Sequence, residues 1–238
     1  MRASLDGLRR EQTGMTLVEL TVGMAIGLVV TFASLAVLQR AETASREIVD
    51  RQDAIQRGRL AMEQITRQLR SQVCLGESAE PITSGTATSI SFYGDLSDGS
   101  QNVAKRSLAY VAPVGTTPGK IREDVHVGSG SYPNLTFPAA ATTSRILLSG
   151  AKQVVSGSTT QPLFRYYAFQ PGSPTGDLLE LPAPLSAADA SRTVMIRIAF
   201  VSMPERVRPR DFDSTTLQND VYVRLADPTR PVEGPRCI

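Results

Sequence analysis

The sequence predicts an α+β protein in which one long N-terminal helix packs on an antiparallel β-sheet head. Three observations predict it. Met15–Leu38 is almost entirely apolar, Gln39–Val73 is a proline-free amphipathic stretch, and the chain from Gly76 onward alternates short β-type segments with turn residues. A helix with one apolar stripe and a sheet with one apolar face can cover each other, as in α+β folds.

The composition favours an architectural role over catalysis. The chain has 238 residues, of which 41% are apolar, enough for one sizeable domain with an appendage or two small domains. Its 25 basic and 23 acidic residues are scattered, so the sequence indicates no concentrated surface for nucleic acid and leaves such binding open. With one histidine, two cysteines and no tryptophan, we expect neither enzyme activity nor a cofactor.

The first element is a short polar leader, residues 1–14, followed by the apolar run Met15–Leu38. The run has about the ~20 residues that a helix needs to cross a bilayer. A secretory signal has a shorter apolar core of roughly 7–15 residues with a cleavage site behind it. A plain membrane anchor fits the length, and the arginines of the leader predict that the leader lies in the cytoplasm.

A plain anchor does not explain Glu19, the one charged residue of the apolar run. A carboxylate in a membrane-spanning segment costs on the order of 2.5–3.5 kcal/mol, and no basic residue lies nearby in the run. Cleavage after Gly14 would give Met15 a free α-amino group one helical turn before Glu19. That cation would neutralise the carboxylate within one subunit or between neighbours.

The hexapeptide Gly14–Glu19 resembles the prepilin signature of type IV pilins and type II secretion pseudopilins. The resemblance implies that a prepilin peptidase cleaves between Gly14 and Met15, that Met15 becomes the N-methylated amino terminus, and that Glu19 guides docking into a growing filament. Met15 stands where the family most often has Phe. The plain single-span anchor remains the alternative.

Inside the run, Gly23 and Gly27 form a G-x-x-x-G pair, and Thr31 follows four residues later. A stripe of small residues allows helices to approach closely in lipid, which predicts a packing face in a filament core. Glycine is also frequent in membrane helices without any such role, and it weakens a helix by ~1 kcal/mol relative to alanine. The sequence leaves these interpretations open.

The second half of the helix, predicted over residues 39–74, carries its own apolar stripe. Ile48, Ile55, Met62 and Leu69 recur every seven residues, and Ile65 and Val73 extend the stripe. The two halves together predict a helix from about Met15 to Val73. We expect the sheet of the same chain to cover the stripe, with a coiled coil as the alternative.

Residues 75–238 are expected to form the β-rich head. Six segments have the composition or alternation of strands: Ser89–Tyr93, Arg106–Val111, Arg145–Leu148, Phe164–Phe169, Thr193–Val201 and Asp220–Leu225. Cys74 ends the helix and Cys237 is the penultimate residue. In an exported domain such a pair suggests a disulfide, and two separate buried thiols are the alternative.

Other candidate sites in the head are weaker. His126 lies in an alternating segment that favours a sheet position over catalysis. The segment Gly115–Lys120 lacks the spacing of a phosphate-binding loop and is expected to be a turn. Asp95, Asp98 and Asn102 offer oxygen ligands for Ca²⁺, but they miss the EF-hand spacing, so we expect a solvated turn and no metal.

The whole layout resembles PilW-type minor pilins and J-type pseudopilins of type II secretion. This implies a structural subunit in the inner membrane, crossing it once with its head outside the cytoplasm, and later in a surface or periplasmic filament. The implied partners are the prepilin peptidase, other major and minor pilins or pseudopilins and the inner-membrane assembly platform. The alternative is a membrane-tethered adhesin-like or DNA-uptake protein that uses the same export signal.

Overall fold

The computed structural model describes residues 15–76, 80–96, 103–171, 176–204 and 215–223. By packing, the chain divides into two compact units, Met1–Val49 and Asp50–Ile238. The predicted α+β class is confirmed, because a long N-terminal helix packs on antiparallel sheets. The helical residues from Asp50 onward belong to the same unit as the sheets and share a core with them.

The long helix, α1, spans Leu17–Arg70, slightly shorter at both ends than the sequence predicted. At its C-terminal end the Ser71 N–H bonds to the carbonyl oxygens of Arg67 and Gln68, at 3.1 and 3.0 Å. The chain then joins the sheet, because the Val73 N–H donates to the Tyr93 carbonyl oxygen at 3.0 Å. The helix therefore ends where sheet hydrogen bonds replace helical ones.

Fourteen strands and one further helix lie in the described residues of the head. A five-stranded antiparallel sheet has the order β1-β2-β3-β4-β7, and a second sheet has the order β12-β11-β13-β14, with β8 also paired to β13. Two short hairpins, β5-β6 and β9-β10, complete the described strands. The elements are β1 (Ile82–Gly85), β2 (Ser89–Gly94), β3 (Ala104–Val111), β4 (Lys120–Val127), β5 (Ser129–Ser131), β6 (Asn134–Thr136), β7 (Thr143–Ser149), β8 (Ala151–Lys152), β9 (Val155–Ser156), β10 (Thr159–Thr160), β11 (Phe164–Phe169), β12 (Leu178–Leu181), α2 (Ala187–Arg192), β13 (Met195–Ser202) and β14 (Thr216–Tyr222).

One apolar core joins both sheets to the second half of α1. Met62, Ile65 and Leu69 of the helix belong to the same buried cluster as residues from both sheets. The Tyr166 hydroxyl on β11 ties the sheets together, because it donates to the carbonyl oxygens of Thr86 and Ser89, at 2.9 and 3.0 Å. Burial raises the pKa of this phenol well above its usual range.

A glycine sets how closely the helix approaches the second sheet. A Cβ atom on Gly58 would lie 2.6 Å from Leu217 Cδ1 and 2.7 Å from Ser202 Cβ. At the same place the Ser202 hydroxyl donates to the Ala54 carbonyl oxygen at 2.6 Å. The buried face of the helix therefore begins with small residues, and the predicted stripe is only partly correct, because Ile48 is exposed.

Each of the six predicted strand segments overlaps a strand of the structure. The last one extends to Leu225, which lies outside the described residues. Strand β4, an interior strand of its sheet, is one of the eight described strands outside the six segments, although the alternation around His126 favoured a sheet position. Its sequence, KIREDVHV, has four charged residues among eight, and only its neighbours explain why Glu123 is buried there.

Candidate functional site

The start of α1 is a reciprocal hydrogen-bonded cap formed by Thr16 and Glu19. The Thr16 main-chain N–H and hydroxyl both donate to Glu19 Oε2, at 3.0 and 3.1 Å, and the Glu19 N–H donates to Thr16 Oγ1 at 3.3 Å. This is a capping box, in which an N-cap hydroxyl and a carboxylate three residues later satisfy each other's free donors. The carboxylate also lies at the positive end of the helix dipole.

The cap adds a partner for Glu19 that the sequence analysis did not name. The predicted pairing of Glu19 with the α-amino group of a cleaved Met15 stays a prediction. Thr16 bonds only to Oε2, and the described residues provide no hydrogen bond to Oε1. The pattern T-x-x-E was readable in the sequence as a helix start.

The apolar run has no cover of its own. Every residue from Met15 to Val49 is exposed, including Leu17 at 78% and Phe32 at 67%. In the described part of the chain, α1 is the one helix long and apolar enough to cross a membrane, with a mean hydropathy of 2.2 over its most apolar 18 residues. By its length and composition this helix could span a membrane, and a large exposed apolar surface is typical of membrane or protein contact sites.

The hydroxyl groups of the run are satisfied within the helix. Beyond Thr16, the three hydroxyls of the run bond to carbonyl oxygens one turn earlier: Thr21 to Val18 at 2.9 Å, Thr31 to Gly27 at 2.7 Å and Ser34 to Val30 at 2.9 Å. Such bonds remove the cost of placing a hydroxyl in hydrocarbon. These bonds were not predicted from the sequence, although hydroxyl side chains in helices commonly bond to the carbonyl oxygen three or four residues earlier.

Gly23 and Gly27 lie open on the helix surface. A Cβ atom built on either residue would meet no atom within 4 Å. Nothing in the described part of the chain therefore requires glycine at these positions, and their role in packing between helices stays a prediction.

Cys74 follows the helix, and among the described residues no cysteine is free, because Cys74 is disulfide-bonded. Cys237 lies outside the described residues, as does Gly14. The Cys74–Cys237 pairing and the cleavage after Gly14 stay predictions.

The weaker candidates take ordinary structural positions. His126 lies in β4, with Nδ1 at 2.9 Å from the Pro138 carbonyl oxygen. The segment after Val114 is the expected turn, closed by reciprocal main-chain bonds between Val114 and Thr117 at 3.1 and 3.0 Å. Asp98 and Asn102 lie outside the described residues, and within the described ones no three His, Cys, Asp or Glu side chains cluster as metal ligands would.

The head contains a buried ion cluster that the sequence analysis missed. The Glu123 side chain on β4 is 0% exposed and accepts from Arg106 Nη1 on β3 at 2.6 Å. It also pairs with Arg145 on β7, whose side chain is 50% exposed. Two arginine side chains bond the one buried carboxylate, so the cluster links three neighbouring strands.

A search for similar proteins found no family model and no curated protein that matches this chain.

Proposed function

We propose that this protein is a minor pilin or pseudopilin. In this proposal a prepilin peptidase cleaves between Gly14 and Met15, the new Met15 terminus is N-methylated, and the helix joins a type IV pilus or a type II secretion pseudopilus. There the subunit primes or caps assembly. The role is structural, and the head presents surfaces to neighbouring subunits.

The observation that carries the proposal is the cap at the start of an apolar helical run, Met15–Leu38, that is otherwise uncharged and is exposed throughout. The Glu19 carboxylate is bonded through Oε2 to Thr16. Thr16 is the second residue after the proposed cleavage site. Cleavage would create an α-ammonium group on Met15 and leave Glu19 Oε1 as an acceptor for it or for the terminus of a neighbouring subunit. Such a charge pair is strong where water is excluded, so it would favour one docking depth in the filament.

The exposed apolar surface supports the same proposal. Before assembly, lipid would cover residues 15–38, with the arginines of the leader in the cytoplasm and the head outside it. During assembly, helices of other major and minor subunits would replace the lipid. Gly23 and Gly27 lack a side chain that would hold a neighbouring helix away.

The partners in this proposal follow from its steps. The prepilin peptidase and an inner-membrane assembly platform act on the membrane form, and pilins or pseudopilins surround the filament form. The proposal covers pilus and pseudopilus alike, because both rest on the same processing step. It predicts a low copy number, so finding this chain as the bulk component of purified filaments would refute the minor-subunit assignment.

The test replaces Glu19 with Gln in the full-length protein expressed with its own filament system. We expect cleavage and membrane insertion to proceed and incorporation into sheared filaments to be lost. Glu42→Gln is the matched control, because Glu42 lies on the same helix beyond the apolar run and its side chain is 69% exposed beside Arg46. Normal incorporation of the Glu19→Gln variant would contradict the docking role.

A further inference from the structure

A groove runs between the second half of α1 and strand β14. It has a volume of about 600 Å³, and both walls belong to the head unit. Met62 and Leu217 form its apolar floor, and Arg59, Arg67 and Arg70 line the helix side. A groove of this size accommodates several residues of an extended peptide or a small molecule.

The β14 side of the groove presents unpaired main-chain groups. The Thr215 carbonyl oxygen accepts from the Ser202 N–H at 3.4 Å, and the strands pair in continuous antiparallel register from there to Tyr222. Main-chain groups of an antiparallel strand alternate between its two sides, so the odd-numbered residues of β14 bond to β13 and the even-numbered ones point outward. Within the described residues, the outward groups of Thr216 and Gln218 have no partner.

The outer edge of β14 is blocked near Asp220 and open near Thr216 and Gln218. The Asp220 N–H is capped by Asn219 Oδ1 at 3.0 Å, and Asn219 Nδ2 donates to Thr66 Oγ1 on the helix at 2.8 Å. Thr216 and Gln218 have no such cap. A free edge beside a groove is the arrangement in which proteins add a strand from a partner.

The charge of the groove lining favours an acidic strand. Arg59, Arg67 and Arg70 are exposed, and in the described part of the chain none of them has an ion-pair partner. Glu63 is the one acidic residue in the lining, so three arginines face one carboxylate. By contrast, Arg57 on another side of the helix pairs with Asp53 at 2.8 Å.

The spacing of the arginines matches a strand. Arg59 and Arg70 are eleven residues apart along α1, which corresponds to a rise of about 16 Å at ~1.5 Å per residue. About five residues of an extended chain cover that length at ~3.3 Å per residue. Alternate side chains of such a strand point to the same side, which gives about three positions facing the helix.

We propose that this groove, named the α1–β14 groove, binds an extended acidic segment of another protein as an added strand on β14. The partner's main chain bonds to the outward groups of Thr216 and Gln218. Its carboxylates, at alternate positions, face Arg59, Arg67 and Arg70, and its apolar atoms cover Met62 and Leu217. The inference rests on this geometry alone and goes beyond the filament proposal.

The test measures binding of a fluorescein-labelled seven-residue peptide, with glutamate at alternate positions between valine and threonine, to the full-length protein in detergent at low ionic strength. Two control peptides separate the contribution of side-chain charge from that of main-chain hydrogen bonds. One carries lysine in place of glutamate, and the other keeps the glutamates but has N-methylated main-chain nitrogens that cannot donate to a strand edge. We expect the acidic peptide to bind and both controls to bind at least about tenfold more weakly.

Protein variants locate the site. Arg67→Glu combined with Arg70→Glu is expected to weaken peptide binding at least about tenfold, because two attractions become repulsions. Arg51→Glu, an exposed arginine of the same helix outside the groove, is expected to leave the affinity within about twofold. Gln218→Pro removes an outward N–H without removing a bond to β13, so it is expected to weaken binding while circular dichroism stays that of the wild type.

Several outcomes would overturn the proposal. They are no binding at millimolar peptide, equal binding of the acidic and lysine peptides, and binding unaffected by Arg67→Glu with Arg70→Glu. Binding of oligothymidylate through the same arginines, with no effect of the N-methylated peptide, would instead assign the groove to single-stranded nucleic acid. Because no filament is needed, failure here is distinguishable from failure of the proposed function.

Discussion

The first half of α1, Leu17–Val49, and its second half, Asp50–Arg70, are both helical but differ in how much of their surface is covered. Every residue from Leu17 to Val49 is exposed, whereas the stretch from Asp50 to Arg70 has eight buried residues. In the first half the exposed residues are mainly apolar; in the second they are mainly arginine, glutamine and glutamate. Among the described residues, packing within the chain therefore buries only the second half of the helix.

The difference extends to polar groups. The hydroxyls of the first half bond back to their own helix, as Thr31 does to the Gly27 carbonyl oxygen at 2.7 Å. The second half bonds across to the sheets, as between Thr66 and Asn219 at 2.8 Å. A hydroxyl that bonds to a carbonyl oxygen of its own helix is suited to a lipid environment. A hydroxyl that bonds to another element fixes how the helix packs on that element. The comparison predicts that matched substitutions have opposite effects in the two halves.

The largest expected change in the free energy of unfolding comes from replacing one of two carboxylates, Glu123, with Glu19 as the comparison. Glu123→Gln removes the charge of a fully buried side chain and leaves Arg106 and Arg145 without it. Breaking such a cluster costs about 3–5 kcal/mol, and the half-exposed Arg145 favours the lower end. Urea unfolding of the full-length protein in detergent, followed by circular dichroism, measures the loss. Glu19→Gln is the control, with a change of less than about 0.5 kcal/mol; similar losses for both variants would contradict the comparison.

The second comparison uses two glycines of the same helix. Gly58→Leu places a side chain where even a Cβ atom would lie 2.6 Å from Leu217 Cδ1, so we expect overpacking to reduce the free energy of unfolding by about 1–3 kcal/mol. At Gly23 a Cβ atom would meet no atom within 4 Å beyond the backbone of its own helix, so Gly23→Leu is expected to leave head stability unchanged. If Gly58→Leu unfolds at the same urea concentration as the wild type, the close contact between the helix at Gly58 and strands β13 and β14 would be contradicted.

A third prediction concerns a buried amide. Gln68 is 0% exposed, and neither its Nε2 nor its Oε1 has a partner in the described part of the chain. An orphaned buried polar group costs about 1–3 kcal/mol, so Gln68→Met should raise the free energy of unfolding by about 1 kcal/mol. Gln56→Met, at an exposed position of the same helix, should change it little. A loss of stability in Gln68→Met would mean that the amide has a partner such as internal water.

The smallest effect depends on pH. Arg197 Nε and Nη2 bind the Asp220 carboxylate at 2.7 and 2.8 Å and hold its pKa below the usual value. A carboxyl whose pKa is lower in the folded state adds stability above its unfolded pKa, about 3.9, and loses that contribution as the pH falls through the folded value. The free energy of unfolding of the wild type should exceed that of Asp220→Asn by less than about 1 kcal/mol at neutral pH, and this difference should shrink as the pH falls below about 3.9. An unchanged difference at low pH would contradict this.

The sequence was sufficient for the elements whose pattern is local. The long helix and the six strand segments were predictable because their apolar spacing repeats within the segment itself. In β4 only the alternation around His126 was recognised, because Glu123 occupies a core-facing position that becomes acceptable only when β3 and β7 bring Arg106 and Arg145 beside it. Register between distant segments is not encoded in the composition of any one of them.

The candidate sites divide in the same way. The cap of Thr16 and Glu19 matches the four-residue pattern of a capping box, but the sequence analysis singled out Glu19 only as a docking residue and did not predict the cap. The α1–β14 groove joins residues about 150 positions apart, as the bond between Thr66 and Asn219 shows. Its arginines were visible in the sequence, but the strand edge opposite them was not.

The most direct test of the central claim is the mature amino terminus of the membrane-purified protein, determined by intact mass and terminal peptide analysis. The account predicts a chain that begins at Met15 and carries one additional methyl group, and a Gly14→Val variant that still begins at Met1. A wild-type chain that begins at Met1 would contradict the account and leave an ordinary membrane anchor in its place.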